Sequence, residues 1–317
     1  MISLIDWKIM GALGDPSLPI GIIYECCYVG TELSLDDRLS WIDKHVEAVA
    51  GCKVVVNYSH ETAEIFLSDQ PGGINVGSLA HLSTPGGRIL LDATSLQLPE
   101  LIYLMEWADL NCKDFDVIYV EPSEYSASYK QKIGIQSIDY SLSEDGPGIN
   151  MLPRFTSPVD DSHLIVGLGY EGHRFGAMLI SDEITPKSIT GILGVPPFVL
   201  GWEKNTFAKN HQEMSDARKH YDADFKVIAA NDPLQNYDMI NLIHRAIAAE
   251  SPRHRVRLHL APIGTKPVAL AMSWFAVNHK GTGILYDFVK KKSKRSTGVG
   301  KIHQWSFSSS DPSTIGK

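Results

Sequence analysis

Cysteine is scarce and unpatterned in this chain. The four cysteines, Cys26, Cys27, Cys52 and Cys112, all fall in the first 112 of 317 residues, two are adjacent, and none forms a CxxC pair. That spacing excludes a zinc finger or ribbon and argues against a disulfide framework. No apolar run approaches the ~20 residues that span a bilayer, and no signal peptide is recognised at the start. The expectation is a cytoplasmic protein without membrane contact. A GxxxxGK[ST] loop is missing, which excludes ATP hydrolysis of the P-loop kind. HExxH, GxSxG, clustered His/Cys sets and paired carboxylates on one helical turn are missing too, so no metal and no cofactor is expected. Basic residues are in deficit, 29 against 37 acidic, a net charge of -8. Coating nucleic acid over the whole surface is therefore not expected, although a local basic site is compatible with that balance.

What is present is an alternation of apolar strands and helices long enough for a large core. Strands are expected at 20–25, 53–58, 88–94, 116–121 and 135–142, with helices over 35–50 and 98–110. The stretch 59–87 holds a short helical pattern at 60–67 and then a Gly-, Ser- and Asn-rich segment, either a lid or a surface loop. Residues 146–162, rich in Pro, Gly, Asp and Ser, read as a linker between a first unit (1–145) and a second (163–317). The second unit is expected to run strand 163–169, helix from His173, strand 188–193, helix 202–221, strand 225–230, helix 234–250, strand 255–261, helix 265–279, a strand ending at Asp287-Phe288, and strand 301–307. The fold class is α/β, two tandem Rossmann-like units with parallel sheets covered on both faces.

The halves resemble each other. IGIIYECCYVG (20–30) matches VGLGYEGHRFG (166–176), aligning Tyr24-Glu25 with Tyr170-Glu171. ILLDATSLQLPELIYLMEWA (89–108) matches LHLAPIGTKPVALAMSWFAV (258–277), with Pro99 on Pro267 after a one-residue gap. DVIYVEP (116–122) matches TGILYDFV (282–289), Tyr119 on Tyr286, and IGIQSIDY (133–140) faintly matches TGVGKIHQ (297–304). Blocks in the same order indicate an internal duplication. The spacing from Glu25 to Pro99 is 74 residues and from Glu171 to Pro267 is 96, which leaves room for one extra strand and helix in the second half.

Ligands in open parallel sheets lie beyond the carboxyl ends of the strands, which directs attention to the loops there. Gly264-Thr265-Lys266 follows a strand and opens a helix, with Pro267 tolerated in the first turn; a glycine turn, a hydroxyl, an ammonium and free backbone N–H groups at a helix start suit phosphate. Gly167-Leu168-Gly169-Tyr170-Glu171-Gly172 is formally GxGxxG. The acid that a dinucleotide site needs at the end of the next strand is missing, because that strand runs into Leu193-Gly194-Val195-Pro196-Pro197. Arg174, at the following helix start, either clamps an anion or pairs with Glu171. The run KKKSKRSTGVGK carries Lys292, Lys294 and Arg295, and is read either as a solvated loop or as positive field for a polyphosphate. In the first half the equivalent loop is Asp92-Ala93-Thr94-Ser95, which keeps the hydroxyls and lacks the Gly-Thr-Lys. Glu25 and Glu171 are the candidates for a general base, were the chain an enzyme.

LHLAPIGTKPVALA resembles the strand–loop–helix motif of CARF (CRISPR-associated Rossmann fold) sensor domains, specifically at Gly264, Thr265 and Lys266. The resemblance implies recognition of a phosphorylated, cyclic oligonucleotide-type ligand and a place in a prokaryotic defence or signalling system. It also implies that two copies of the fold meet over one ligand, and that a protein partner carries the effector activity. The alternatives are a phosphodiesterase or transferase acting on such a ligand, and a structural subunit of a nucleic-acid-associated complex.

Overall fold

Two sheets, each with a run of parallel strands joined by helices, organise the chain, as the alternation of apolar segments requires. The computed structural model describes residues 1–10, 23–31, 37–111, 113–125, 128–132, 135–139, 142–250, 255–292 and 295–309. Six helices lie among them: α1 Arg38–Val49, α2 Leu98–Leu110, α3 Gly172–Leu179, α4 Glu203–His220, α5 Pro233–Glu250 and α6 Lys266–Asn278. The chain divides into two compact units, residues 1–142 with 291–317, and residues 143–290.

The parallel strands of the second unit are, in chain order, Asp160–Gly167, Thr185–Gly194, Asp222–Ile228, Leu258–Pro262 and Gly283–Lys291. Numbered in that order they stand 3-2-1-4-5 across the sheet, the doubly wound arrangement. Strands Tyr24–Gly30, Ala50–Ser59, Ile89–Asp92 and Phe115–Val120 of the first unit stand 2-1-3-4. This is the same order with the third strand left out. An antiparallel hairpin, Glu64–Leu67 with Gly73–Asn75, borders the sheet there instead. The extra strand and helix expected from the longer spacing are thus Asp222–Ile228 and its flanking helix.

The repeat extends to local detail. Helices α2 and α6 both have 13 residues, N-caps at Gln97 and Thr265, and proline in the first turn. Both are apolar around nearly their whole circumference and are buried as such helices must be. Proline fits at that position because its missing N–H has no intrahelical acceptor there. The backbone N–H of Gln97 is satisfied by Glu100 Oε2 at 2.7 Å, a reciprocal cap that also fixes the start of α2.

The strand next to each last parallel strand comes from the other half of the sequence. Ile302–Ser309 lies antiparallel beside Phe115–Val120, followed at the edge by Ile2–Met10. Ser143–Met151 lies beside Gly283–Lys291. Backbone bonds from Leu152 to Ile284 and from Lys292 to Leu142 flank that pairing and make it antiparallel. Each sheet is therefore completed by the segment that follows the other sheet's last parallel strand. The expected boundaries shift accordingly. Residues 146–162 are no linker, since they supply sheet strands and the buried Leu152 and Phe155. Residues 291–317 group with the first unit rather than the second.

Other expectations change for identifiable reasons. The helix at 60–67 is a turn and a strand, because Ile65 and Leu67 are buried while Phe66 is exposed, a period of two. The first parallel strand begins at Tyr24 instead of ending at Glu25; Cys26 to Val29 continue it. Tyr24-Glu25 therefore lies at the start of its strand and Tyr170-Glu171 beyond the end of its own, so that block of the repeat is out of register. Ile135–Asp139 pairs with Ser128–Lys132 in a separate two-stranded sheet. Its faint match to 297–304 has no counterpart in the topology. Cys26 and Cys52 are in-register neighbours on adjacent parallel strands and form a disulfide, Cα atoms 4.6 Å apart. A separation of 26 residues concealed that contact from the sequence reading. Among the described residues no helix is long and apolar enough to cross a membrane.

Candidate ligand site at the carboxyl edge of the second unit

The place where strand order reverses in the second sheet lies between Asp160–Gly167 and Leu258–Pro262, and two glycine turns meet there. A Cβ at Gly264 would stand 3.0 Å from the Leu168 carbonyl oxygen, one at Gly169 2.7 Å from that of Ile263, and one at Gly167 2.8 Å from Val268. The third glycine of the GxGxxG pattern, Gly172, packs α3 on α4, where a Cβ would lie 1.8 Å from the Lys209 carbonyl oxygen. All three glycines of that pattern therefore serve backbone-to-backbone or backbone-to-side-chain packing. The motif is accounted for without a pyrophosphate. Asn210 of α4 holds the same loop, its Nδ2 donating to the Gly169 and Thr206 carbonyls at 2.7 Å each.

Thr265 is the N-cap residue of α6, yet its hydroxyl does not cap the helix. It donates instead to the Ala230 carbonyl oxygen at 2.8 Å, tying the turn to the loop that follows strand Asp222–Ile228. Lys266 is the first helical residue and is half-buried. The start of α6 carries the positive end of the helix dipole, which favours an anion.

Arg174, two residues beyond the Gly167–Gly172 loop, lines a cleft, with Glu171 behind it. Glu171, buried, accepts the Ser143 backbone N–H at 2.9 Å and the Ser143 hydroxyl at 2.8 Å. Arg174 donates from Nε to Asp287 Oδ2 at 2.7 Å and stands 4.0 Å from Glu171. The cleft has a volume of about 390 Å³, within the range of small-molecule sites. Apolar walls come from Ile149, Ala177, Ile180 and Val289, and polar groups from His173 and Arg174 facing Glu144 and Asp287. The charge of Arg174 is offset by two carboxylates, so it is a strut of the cleft more than a spare cation. Sequence reasoning missed Asp287 as the partner of Arg174 and Ser143 as that of Glu171. The available signal was the acid in the otherwise apolar strand GILYDFV.

The same construction occurs in the first unit. Asp37, the N-cap of α1, accepts the Gly298 N–H at 2.9 Å, as Glu171, the N-cap of α3, accepts that of Ser143. Arg38 donates to the Val120 carbonyl at 3.0 Å and to the Ser296 hydroxyl at 3.1 Å. When Tyr119 is aligned with Tyr286, Val120 falls on Asp287, so both arginines reach the same position of the last parallel strand.

The remaining candidates divide between the units. Asp92 and Thr94 are buried, and their bonds stay within the fold. Asp92 accepts from Thr94 N–H at 3.0 Å and from the Ser95 hydroxyl, and Thr94 Oγ1 accepts the Val120 N–H at 3.0 Å. Burial raises the Asp92 carboxyl above its usual range against those hydrogen bonds. A ligand-contact role for this pair is corrected to that of loop struts; Ser95 Oγ also accepts the Gly30 N–H at 2.8 Å, closing the turn on the neighbouring strand. Lys292 and Arg295 are half-buried and group with the first unit, whereas Lys294 lies outside the described residues. Lys290 and Lys291 end a strand instead of opening a loop. Glu25 sits at the amino end of its strand, the edge away from ligand loops, where it accepts the Gly87 N–H. It is discarded as a general base at the ligand edge. Among the described residues no group of three or more His, Cys, Asp or Glu is placed to hold a metal ion.

A scan against protein-family models finds no match, and a search of curated proteins finds no significant relative.

Proposed function

We propose that this chain is a binding module for a phosphorylated nucleotide, taken at the carboxyl edge of the second unit. The Gly264-Thr265-Lys266 turn and the α6 N-terminus would face phosphate, and the Arg174 cleft would hold the remainder of the ligand. The observation that carries this reading is the meeting of the Leu168-Gly169 and Ile263-Gly264 turns where the strand order reverses, the position at which this sheet type binds ligands. The likeness of the same turn to CARF sensors adds a cyclic oligonucleotide to the candidates, with a role in prokaryotic defence or signalling from the cytoplasm. The effector activity would then belong to a partner protein.

An enzyme acting on the same ligand is the weaker reading. Its candidate base, Glu171, already accepts from the Ser143 backbone and hydroxyl, which positions a strand and leaves the carboxylate poorly placed to abstract a proton. The test is titration of the purified protein with linear and cyclic mono-, di- and oligonucleotides by calorimetry, with mass spectrometry of the mixture afterwards. Binding without product is expected. Lys266→Ala should weaken it by about 1.5–3 kcal/mol, the range for a hydrogen bond to a charged group, with an unchanged circular dichroism spectrum. Equal affinity in that variant rules out the phosphate contact, and turnover selects the enzyme.

A further inference from the structure

We propose that strand Asp222–Ile228 is a self-association edge that pairs antiparallel with the same strand of a second copy of this chain. The proposal does not depend on the ligand reading. The strand ends the six-stranded sheet, hydrogen-bonded only to Thr185–Gly194 on its inner side among the described residues. Its even-numbered residues turn their backbone groups inward, as the Ile228 carbonyl accepting the Val195 N–H shows. The odd-numbered residues turn outward. Phe225 N–H finds only the neighbouring Asp224 Oδ1, at 2.8 Å. A seven-residue edge with outward N–H and C=O groups is a template for another strand unless something blocks it.

The usual block is a charge that repels its own copy, and here the charges do the reverse. In the sequence DADFKVI, antiparallel pairing about Phe225 sets Asp224 opposite the partner's Lys226 and Lys226 opposite the partner's Asp224. Ala223 then falls opposite the partner's Val227. Asp224 and Lys226 already form an ion pair along the strand, with side chains 59% and 43% exposed, so both are available to exchange partners. The backbone parity makes 224 opposite 226 a non-hydrogen-bonded pair, the geometry that brings side chains closest. Phe225 N–H would pass from the Asp224 carboxylate to the partner's Phe225 carbonyl. Val227, 61% exposed and apolar, would gain cover. A two-fold axis through Phe225 satisfies both copies with one patch, as an isologous interface requires.

The experiment is light scattering on the eluted protein over a concentration series. The wild type should show a dimer, twice the 35.0 kDa chain mass. Lys226→Glu and Asp224→Lys should each weaken dimerisation by roughly tenfold or more, because each sets like charges opposite one another twice. Mixing the two variants should restore a dimer containing one of each, and the double variant D224K/K226D should restore the homodimer. Val227→Pro, which removes only an outward N–H, should give a monomer with an unchanged circular dichroism spectrum. A monomeric wild type overturns the proposal, as does a dimer indifferent to both charge reversals, or a mixture of well-folded variants that stays monomeric.

Discussion

Arg174 and Asp287 stand 2.7 Å apart, with side chains only 15% and 8% exposed, and they join the first helix of the second unit to its last parallel strand. Removing one partner of such a pair leaves a largely buried charge without compensation. Arg174→Ala is expected to destabilise toward the lower end of ~3–5 kcal/mol, given the residual exposure of the guanidinium. Replacing both residues by Met and Leu should recover most of that loss. Urea unfolding of the three proteins decides the matter; equal stability of Arg174→Ala and wild type would show that the pair is incidental.

The glycines of the Gly167–Gly172 loop and of the Ile263-Gly264 turn that meets it should rank by the room around them. Gly172→Ala places a methyl 1.8 Å from the Lys209 carbonyl oxygen, and Gly264→Ala places one 3.0 Å from that of Leu168. Thermal unfolding should put Gly172→Ala at or above the top of the ~1–3 kcal/mol usual for overpacking, with Gly264→Ala well below it. Gly264→Ala also tests the site, since a turn displaced by a few tenths of an ångström should weaken ligand more than it lowers the melting temperature.

His259 is fully buried, and that burial holds its imidazole down at about 4, against a smaller opposing effect of the Ser157 backbone. The unfolded chain takes up this proton near pH 6.5 and the folded chain only near pH 4, so between those values the unfolded state binds more protons. Stability should fall as pH drops through that window and be flat in this respect above it. His259→Leu should show a shallower decline than wild type over the same range, measured by denaturant midpoints. Parallel curves would mean that His259 does not contribute.

Cys26 and Cys52 should be recovered as one cross-linked peptide in a non-reducing digest, with Cys27 free and protected from alkylation until the chain is unfolded. Reduction should lower stability by about 3.5 kcal/mol, the chain-entropy scale for a loop of 26 residues. Recovery of Cys26 and Cys52 as separate thiols in protein handled without reductant would contradict the bridge.

Much of this architecture was legible because periodicity reports burial. The helix expected over 98–110 is α2, Leu98–Leu110, and the structure shows the Gln97–Glu100 cap and Pro99 at its start. The inserted strand in the second half followed from spacing alone. What the sequence hid is of two kinds. Partners distant in the chain, such as Cys26 with Cys52 or Ser143 with Glu171, leave no local trace. Polar groups used for packing look like ligand groups: Thr265 ties down Ala230, Asp92 closes its own turn, and the GxGxxG glycines admit neighbouring backbone. Residues 143–151 misled for a further reason, because Gly146 and Gly148 suggest a flexible connection. A Cβ at Gly146 would in fact collide with the Phe288 carbonyl oxygen on the adjacent strand.

The crossing of strands has a consequence for biosynthesis. The first sheet to emerge from the ribosome waits for Ile302–Ser309 before its central Phe115–Val120 strand has neighbours on both sides. Early residues must therefore persist half-assembled while nearly two hundred more are translated, and a premature stop codon ahead of Ile302 would leave the N-terminal sheet open at that strand.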